Sequence, residues 1–166
     1  MSINGTNFWI PQTGEAKTGS AFASHKYSFK SALHYEIGVS IIGGDLVWIQ
    51  GSYPAGLFTD IVIFNKVLCH FLEPSEQVEA DNIYVGAADK IKCPDNPCNP
   101  EENKGTQSRA RYCHKTINGH FKTWGIRKNT YRHDLRRHGK VIWMIAVTTQ
   151  LDISKGSPLF SVEYED

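Results

Sequence analysis

Residues 35–50 read YEIGVSIIGGDLVWIQ, two runs of strand-forming residues joined by Gly-Gly-Asp at 43–45. Tyr, Ile, Val and Trp favour strands, and a short link of Gly and Asp is typical of β-hairpins. The stretch therefore predicts a hairpin with strands over 35–42 and 46–50. Gly-Ser-Tyr-Pro at 51–54 follows directly and predicts the end of the second strand.

Further elements are predicted on both sides of the hairpin. Ser2 to Ile10 is a strand candidate that ends before a proline. Thr59 and Asp60 predict a helix start, since both residue types cap helix N-termini. Apolar residues at 61, 64, 67 and 68 form one face of that helix, which Pro74 ends.

The second half of the chain is less regular. A strand is predicted over 78–85, followed by a loop over 86–104 that is rich in Pro, Asn and Asp. A basic helix is predicted from about 106 to 124, with Gly125 as its end. The apolar run 141–151 contains β-branched residues that suit a strand, but local signals leave its type open.

The order of these elements predicts an α/β fold, a mixed sheet flanked by helices. With 166 residues, 40% of them apolar, the chain has the size of one domain spanning 1–166. No apolar run approaches the roughly 18–20 residues of a membrane helix, and no signal peptide is visible. Its four cysteines are too few for a disulfide scaffold. We therefore expect a soluble intracellular protein without a membrane partner.

Charge is distributed unevenly along the chain. Residues 1–103 carry 6 Lys and Arg against 12 Asp and Glu, whereas the basic region 104–140 carries 11 against a single acid, Asp134. Aromatic residues are interleaved with these cations, namely Tyr112, Phe121, Trp124 and Tyr131. Such a segment suits a polyanion, because each phosphate contact releases counterions. The alternative is a solvated helical face.

Four short stretches resemble one family when they are taken in order. Ile-Asn-Gly-Thr at 3–6 looks like a first strand Val-Asp-Gly-Thr, and residues 51–64 look like a Pro-Gly, His-Asp, Ile-Phe stretch. Ala-Asp-Asn-Ile-Tyr at 80–84 looks like an Asp-x-Gly-Tyr strand, and residues 108–122 look like a helix with Arg-x3-Glu-x6-Lys. Together they resemble the catalytic domain of DDE-superfamily endonucleases, most closely Harbinger-type transposases.

This resemblance implies a ribonuclease-H-like domain that cleaves DNA phosphodiester bonds with Mg²⁺ or Mn²⁺. Two divalent ions of this kind activate water and stabilise both oxygens of an in-line displacement, and hard cations prefer carboxylate ligands. By the resemblance, Asp81 is a catalytic acid and metal ligand, and Asp60 is a second acid at the site. The family also implies DNA as partner. A homo-oligomer, and the nucleus as location if the cell is eukaryotic, are further expectations.

The sequence departs from the family at three positions. Asn4 occupies the place of the first aspartate, Lys115 that of the helix glutamate, and Ile83 that of a glycine. A unit charge about 4 Å from a divalent ion contributes roughly 8 kcal/mol at an effective dielectric constant near 20. Losing two such charges predicts a degenerate copy whose cleavage is impaired or absent.

Each of these residues also has a purely structural interpretation. Asp60 can be a helix N-cap, Asp81 an acid at the surface end of a strand, and Lys115 one more cation on a basic helix. The chain starts at the first catalytic strand of the resemblance. We therefore expect it to lack an upstream DNA-binding region, either as a fragment of a mobile element or as a reduced derivative.

The rival to an enzyme is a module that binds DNA without cutting it. Its phosphate contacts would come from the basic region, and charge reversal of Arg136 and Arg137 should weaken binding. These predicted contacts are Arg109, Arg111, Lys115, Lys122, Arg127, Lys128, Arg132, Arg136 and Arg137.

Cysteine and histidine raise a third possibility, a structural zinc site. Cys93 and Cys98 are separated by four residues, and Cys113 and His114 follow some 15 residues later. Thiolates and imidazoles in two such pairs are the ligands of structural zinc, although this spacing is irregular. A loop with reduced thiols is the alternative and the favoured interpretation.

Overall fold

The computed structural model describes residues 1–12, 20–84, 89–93, 104–126 and 128–156, and in the helix that begins at Lys104 it describes side chains from residue 112 onward. The five strands are β1 (Ser2–Trp9), β2 (Ala32–Val39), β3 (Leu46–Pro54), β4 (Val78–Glu79) and β5 (Ile91–Lys92). They form one sheet in the order β3-β2-β1-β4-β5. β1, β2 and β3 are antiparallel, whereas β4 runs parallel to β1 and β5 parallel to β4. The α-helices are α1 (Asp60–Lys66), α2 (Lys104–Thr123) and α3 (His138–Ser154). The predicted α/β class with a mixed sheet flanked by helices is confirmed.

The predicted hairpin is present, but its strands are shifted along the chain. β2 starts three residues before Tyr35 and ends at Val39, and β3 continues past Gly51 to Pro54. Ser52 has a left-handed backbone (φ 71°) and forms a bulge, an extra residue of β3 with no partner in β2. Pairing resumes after this bulge, so the strand continues to Pro54. Pro54 is tolerated because it is the last residue of an edge strand.

Helices cover both faces of the sheet, and alternation along the strands divides the core in two. On one face, Phe8 of β1 packs with residues of α2 and α3, among them Ile117 and Ile142. On the other, Ile3 packs with Phe64 of α1. Because successive side chains of a strand point to opposite faces, even-numbered residues of β1 face α2 and odd-numbered ones face α1.

The apolar run whose type the sequence left open is part of α3. The buried residues of α3 have the spacing of one helical face: His138, Ile142, Ile145, Ala146, Thr149 and Ile153. The packing of this buried face outweighs the strand preference of the β-branched residues.

The strand predicted over 78–85 is wrong beyond its first residues. Only Val78 and Glu79 pair as a strand, and residues 82–84 form a 3₁₀ turn. Asp81 Oδ1 accepts a hydrogen bond from the Ile83 N–H at 3.0 Å, and the Asp81 carbonyl accepts one from the Tyr84 N–H at 3.2 Å. Aspartate makes such local turns readily, and here the turn ends the strand. Within the predicted loop 86–104, the structure has the short strand β5.

The first helix is shorter than predicted. α1 ends at Lys66, and a 3₁₀ turn over Leu68–His70 follows it, well before Pro74. Its buried apolar side chains are Ile63 and Phe64, whereas Ile61 is only half-buried. Of the predicted apolar face, Phe64 and Leu68 are buried in the core on this side of the sheet and Ile61 packs against it, and Ile63 is buried as well. Asp60 is the first helical residue, and its carboxylate bonds a histidine of the sheet.

The prediction for the basic helix holds to within two residues. α2 runs from Lys104 to Thr123, and Gly125 follows in a left-handed conformation (φ 72°) that favours glycine. Among the described helices, none is long and apolar enough to cross a membrane.

Candidate functional site

Two positions of the resemblance lie in or just beyond neighbouring strands. Ser2 of β1 pairs with Glu79 of β4 in a parallel register. Asn4 is two residues further along β1, and Asp81 is two residues past the end of β4, where the pairing has stopped. Both side chains are half-buried, and one Asp81 carboxylate oxygen is occupied by the Ile83 N–H.

Lys115 lies on α2, one residue beyond the point where this helix is anchored to β1. His114 Nε2 and Ser2 Oγ are 2.9 Å apart in a buried hydrogen bond. Lys115 itself is exposed, and its Nζ lies 5.2 Å from the centroid of the Tyr112 ring. Lys115 thus lies beside the start of β1, with its ammonium group in solvent.

These residues do not fit a pair of divalent ions. The set offers one carboxylate (Asp81), one amide (Asn4) and a cation (Lys115), whereas hard cations need several anionic oxygens. Within the described ranges, no group of three or more His, Cys, Asp and Glu side chains could hold a metal ion. We therefore derive no chemical step through Mg²⁺ or Mn²⁺.

The structure places Asp60 on the opposite face of the sheet from Asn4. Its carboxylate lies directly over Gly5, where a Cβ atom would overlap Oδ1. Oδ1 is also 2.8 Å from His34 Nε2 of β2. Gly5 and Asn4 face opposite ways along β1, so Asp60 and Asn4 lie on different faces. Burial raises the pKa of Tyr84 well above 10 and the charges of Asp60 and Asp81 raise it further, so both acids lie near that hydroxyl.

Asp60 is part of a buried polar cluster that the sequence did not reveal. His34 Nδ1 faces Asn7 Oδ1, and Asn7 Nδ2 donates to Ser24 Oγ at 2.8 Å, which fixes the orientation of the amide. Both nitrogens of the His34 ring therefore face acceptors. The His34 ring thus joins the Asn7 amide of β1 to the Asp60 carboxylate of α1.

Glu36 extends the same cluster and is fully buried at 0% exposure. Trp48 Nε1 donates to Oε2 at 3.0 Å, and the Tyr84 hydroxyl donates to Oε1 at 3.4 Å. Burial raises the pKa of the Glu36 carboxyl from 4.5 to about 7; the Trp48 hydrogen bond lowers it and the Asp60 charge raises it further. His34 and Glu36 are two residues apart on an apolar strand. Two polar side chains at this spacing point to the same face of the strand. This pattern is the sequence signal for the buried polar cluster.

The site thus comprises a buried polar cluster on the α1 face, with Asn4 of β1 on the opposite face. No family model, curated protein or solved structure matches this chain.

We expect Glu36 to make the stability of the protein fall as pH rises. The folded state keeps the Glu36 proton up to about pH 7, whereas the unfolded chain loses it near 4.5. Between these values the free energy of unfolding should drop by about 3 kcal/mol. Glu36→Gln should remove this drop, as measured by urea unfolding at pH 5 and 8. The control Glu73→Gln, at an exposed position, should leave the drop unchanged. If Glu36→Gln shows the same drop as the wild type, Glu36 is not the group responsible for it.

Two histidines of the basic region do not contribute charge to its surface. Burial lowers the pKa of His114 and of His138 to about 4. His138 Nδ1 is 2.7 Å from the Tyr35 hydroxyl, and the ring packs against Tyr131. Both histidines are therefore neutral at pH 7 and belong to the core.

The cations of the basic region that the structure describes are exposed. Those among them that were predicted as phosphate contacts form what we call the basic surface: Lys115, Lys122, Lys128, Arg132, Arg136 and Arg137; Lys140 is exposed as well. Among them, Arg136 is the one with a carboxylate partner, Asp134, at 3.1 Å. For Arg109 and Arg111 the structure describes only the helical backbone, and Arg127 lies outside the described residues.

The predicted zinc ligands that the structure describes lie apart. Cys93 is buried on the α1 face, where its Sγ donates to the Asp81 carbonyl at 3.3 Å. Cys113 is buried on the α2 face, and His114 bonds Ser2. Cys98 lies outside the described residues.

Proposed function

We propose that this chain is a ribonuclease-H-like domain of DDE-transposase origin that binds DNA through the basic surface and has lost metal-dependent cleavage. The observation that carries the proposal is the exposure of all six cations of the basic surface, with a carboxylate beside only Arg136 in the described part. Such unpaired cations attract phosphates and release counterions on binding.

The topology supports the proposed origin. The resemblance requires the first strand to lie beside the strand that follows the first helix, so that Asn4 comes close to Asp81. In support of this origin, β1 and β4 are parallel neighbours, with Ser2 paired to Glu79 two residues before Asn4 and Asp81. α2, which carries Lys115, packs against β1 through His114.

The loss of cleavage is argued from charge. Of the three acid positions that the resemblance implies, only Asp81 is an acid, since Asn4 is neutral and Lys115 is positive. Each missing charge removes several kcal/mol of attraction for a divalent ion. Purified protein should not nick plasmid DNA with Mg²⁺ or Mn²⁺. Robust nicking that Asp81→Ala abolishes would overturn this part of the proposal.

DNA binding should be steeply salt-dependent and indifferent to sequence. With five or six phosphate contacts, we expect log K to fall against log salt with a slope of about −5. Arg137→Glu should weaken binding to a 20-bp duplex (about two helical turns) at least fivefold and reduce the slope by about 1, as measured by fluorescence anisotropy.

A matched control separates the basic surface from net charge. Lys66→Glu makes the same change in charge at an exposed residue of α1, on the other face of the sheet. It should change affinity less than twofold. Equal weakening by both variants, or binding that does not respond to salt, would contradict the proposed surface.

A further inference from the structure

A cleft of about 440 Å³ lies beside the C-terminal end of β1. The Ile10 N–H donates to the Ser31 carbonyl at 3.1 Å, and the Tyr131 N–H donates to the Trp9 carbonyl at 2.8 Å. These backbone hydrogen bonds hold distant chain segments together around the cleft. Its volume is within the range of about 300–1,000 Å³ that is typical of small-molecule sites. We call it the β1 cleft, and it is lined by residues 10–12, 30, 31, 130 and 132.

The β1 cleft is positively charged. Lys30 and Arg132 line it, and no acidic residue of the described part of the chain does so. Neither cation has a carboxylate within 4 Å among the described residues. Lys30 Nζ lies 4.4 Å from the centroid of the Trp9 ring, a cation–π contact that restricts this long side chain. Two unpaired cations at one cleft attract an anion.

The neutral residues of the cleft offer hydrogen bonds to a ligand. Ser31 is only 6% exposed, and its hydroxyl has no hydrogen-bond partner within the described ranges. Hydroxyl groups of buried residues normally have one. Thr130 and Gln12 add further polar groups, whereas Ile10 and Pro11 add apolar surface. The cleft therefore suits an anion that carries a larger, partly apolar body.

We propose that the β1 cleft binds a nucleotide through its terminal phosphate. A phosphate monoester carries a charge of about −1.5 to −2 at pH 7, which matches two cations better than a carboxylate does. Its oxygens accept hydrogen bonds from Lys30, Arg132 and the Ser31 hydroxyl, and the sugar and base lie in the remaining volume. The nucleotide is either free or the end of a DNA strand. Arg132 also belongs to the basic surface, so the second source rests on the proposed function.

The first test is a titration with deoxyadenosine 5′-monophosphate, followed by the amide chemical shifts of the protein. Saturable shifts should centre on the amides of Ser31 and Thr130. Deoxyadenosine, which lacks the phosphate, should bind at least about tenfold more weakly, since charge-assisted hydrogen bonds are lost. The absence of saturable shifts up to about 10 mM nucleotide, or equal binding of the nucleoside, overturns the proposal.

Three variants and a matched control assign the binding to the cleft. Lys30→Gln and Arg132→Gln should each weaken nucleotide binding at least about fivefold, and Ser31→Ala should weaken it about threefold. Lys26→Gln removes the same charge from an exposed lysine outside the cleft and should change affinity less than about twofold. Circular dichroism checks that all four proteins are folded. Equal weakening by Lys26→Gln and Lys30→Gln overturns the assignment to the cleft.

A duplex distinguishes the two sources of the phosphate. The 20-bp duplex (about two helical turns) should bind at least about threefold more tightly with 5′-phosphate than with 5′-hydroxyl ends, and Lys30→Gln should remove this difference. If the mononucleotide binds and the duplex ends make no difference, the ligand of the cleft is a free nucleotide. If DNA binds with the expected salt dependence and the mononucleotide does not bind, the β1 cleft is overturned while the basic surface stands.

Discussion

Gly5→Ala is expected to lower the free energy of unfolding by at least about 3 kcal/mol. A Cβ at this position would overlap the Asp60 carboxylate and lie 2.7 Å from His34 Nε2. The carboxylate must then leave its place over β1, which breaks its hydrogen bond with His34. A buried polar group that loses its hydrogen-bond partner is destabilising, and the displaced side chains must also repack.

Urea unfolding followed by circular dichroism measures this effect, and a second glycine provides the control. A Cβ at Gly119 of α2 meets nothing within 4 Å. Gly119→Ala should therefore stabilise the protein by about 0.5–1 kcal/mol, as alanine does in a helix. The overlap predicts coupling as well: in an Asp60→Ala background, Gly5→Ala should cost far less. An equal cost in both backgrounds would show that the carboxylate is not the obstacle.

Restoring the three family residues should recover metal binding. The variant Asn4→Asp, Ile83→Gly, Lys115→Glu adds two carboxylates and removes a cation at the β1–β4 boundary. Even a quarter of the roughly 8 kcal/mol attraction between one such charge and a divalent ion corresponds to about 30-fold. We therefore expect Mn²⁺ affinity to rise at least about 30-fold by calorimetric titration, together with metal-dependent nicking of plasmid DNA.

The control for this variant keeps the same total charge. Placing the third change at Lys122, an exposed lysine two turns further along α2, gives Asn4→Asp, Ile83→Gly, Lys122→Glu. This variant should bind Mn²⁺ much more weakly. If the first variant folds and neither binds Mn²⁺ nor nicks DNA, the mapping of residues 4, 81 and 115 is wrong, while the basic surface is still tested by salt dependence.

Much of the local structure was predictable because its signals are local. The hairpin follows from β-forming runs around Gly43 and Gly44, and the end of α2 from Gly125, whose left-handed backbone is confirmed. The bulge at Ser52 was not predictable, since it depends on the register between β2 and β3.

The candidate site also combines residues with a local sequence signal and contacts that depend on the tertiary structure. Asn4, Asp81 and Lys115 were identified by order along the chain, whereas the placement of β1 beside β4 depends on tertiary structure. The hydrogen bond of His34 with Asp60 likewise joins residues 26 positions apart that belong to no common motif. Glu36 looks like any exposed acid until Trp48 and Tyr84 contact it in the fold.

The sequence by itself determined the α/β class, the hairpin, the basic helix and the segregation of charge, because propensity, turn chemistry and composition act over a few residues. Only the tertiary structure decided that residues 141–151 are helical, that Asp60 and Asn4 lie on opposite faces of the sheet, and that His114 and His138 are core residues. Burial and strand register create these properties, and both arise from contacts between residues far apart in the chain.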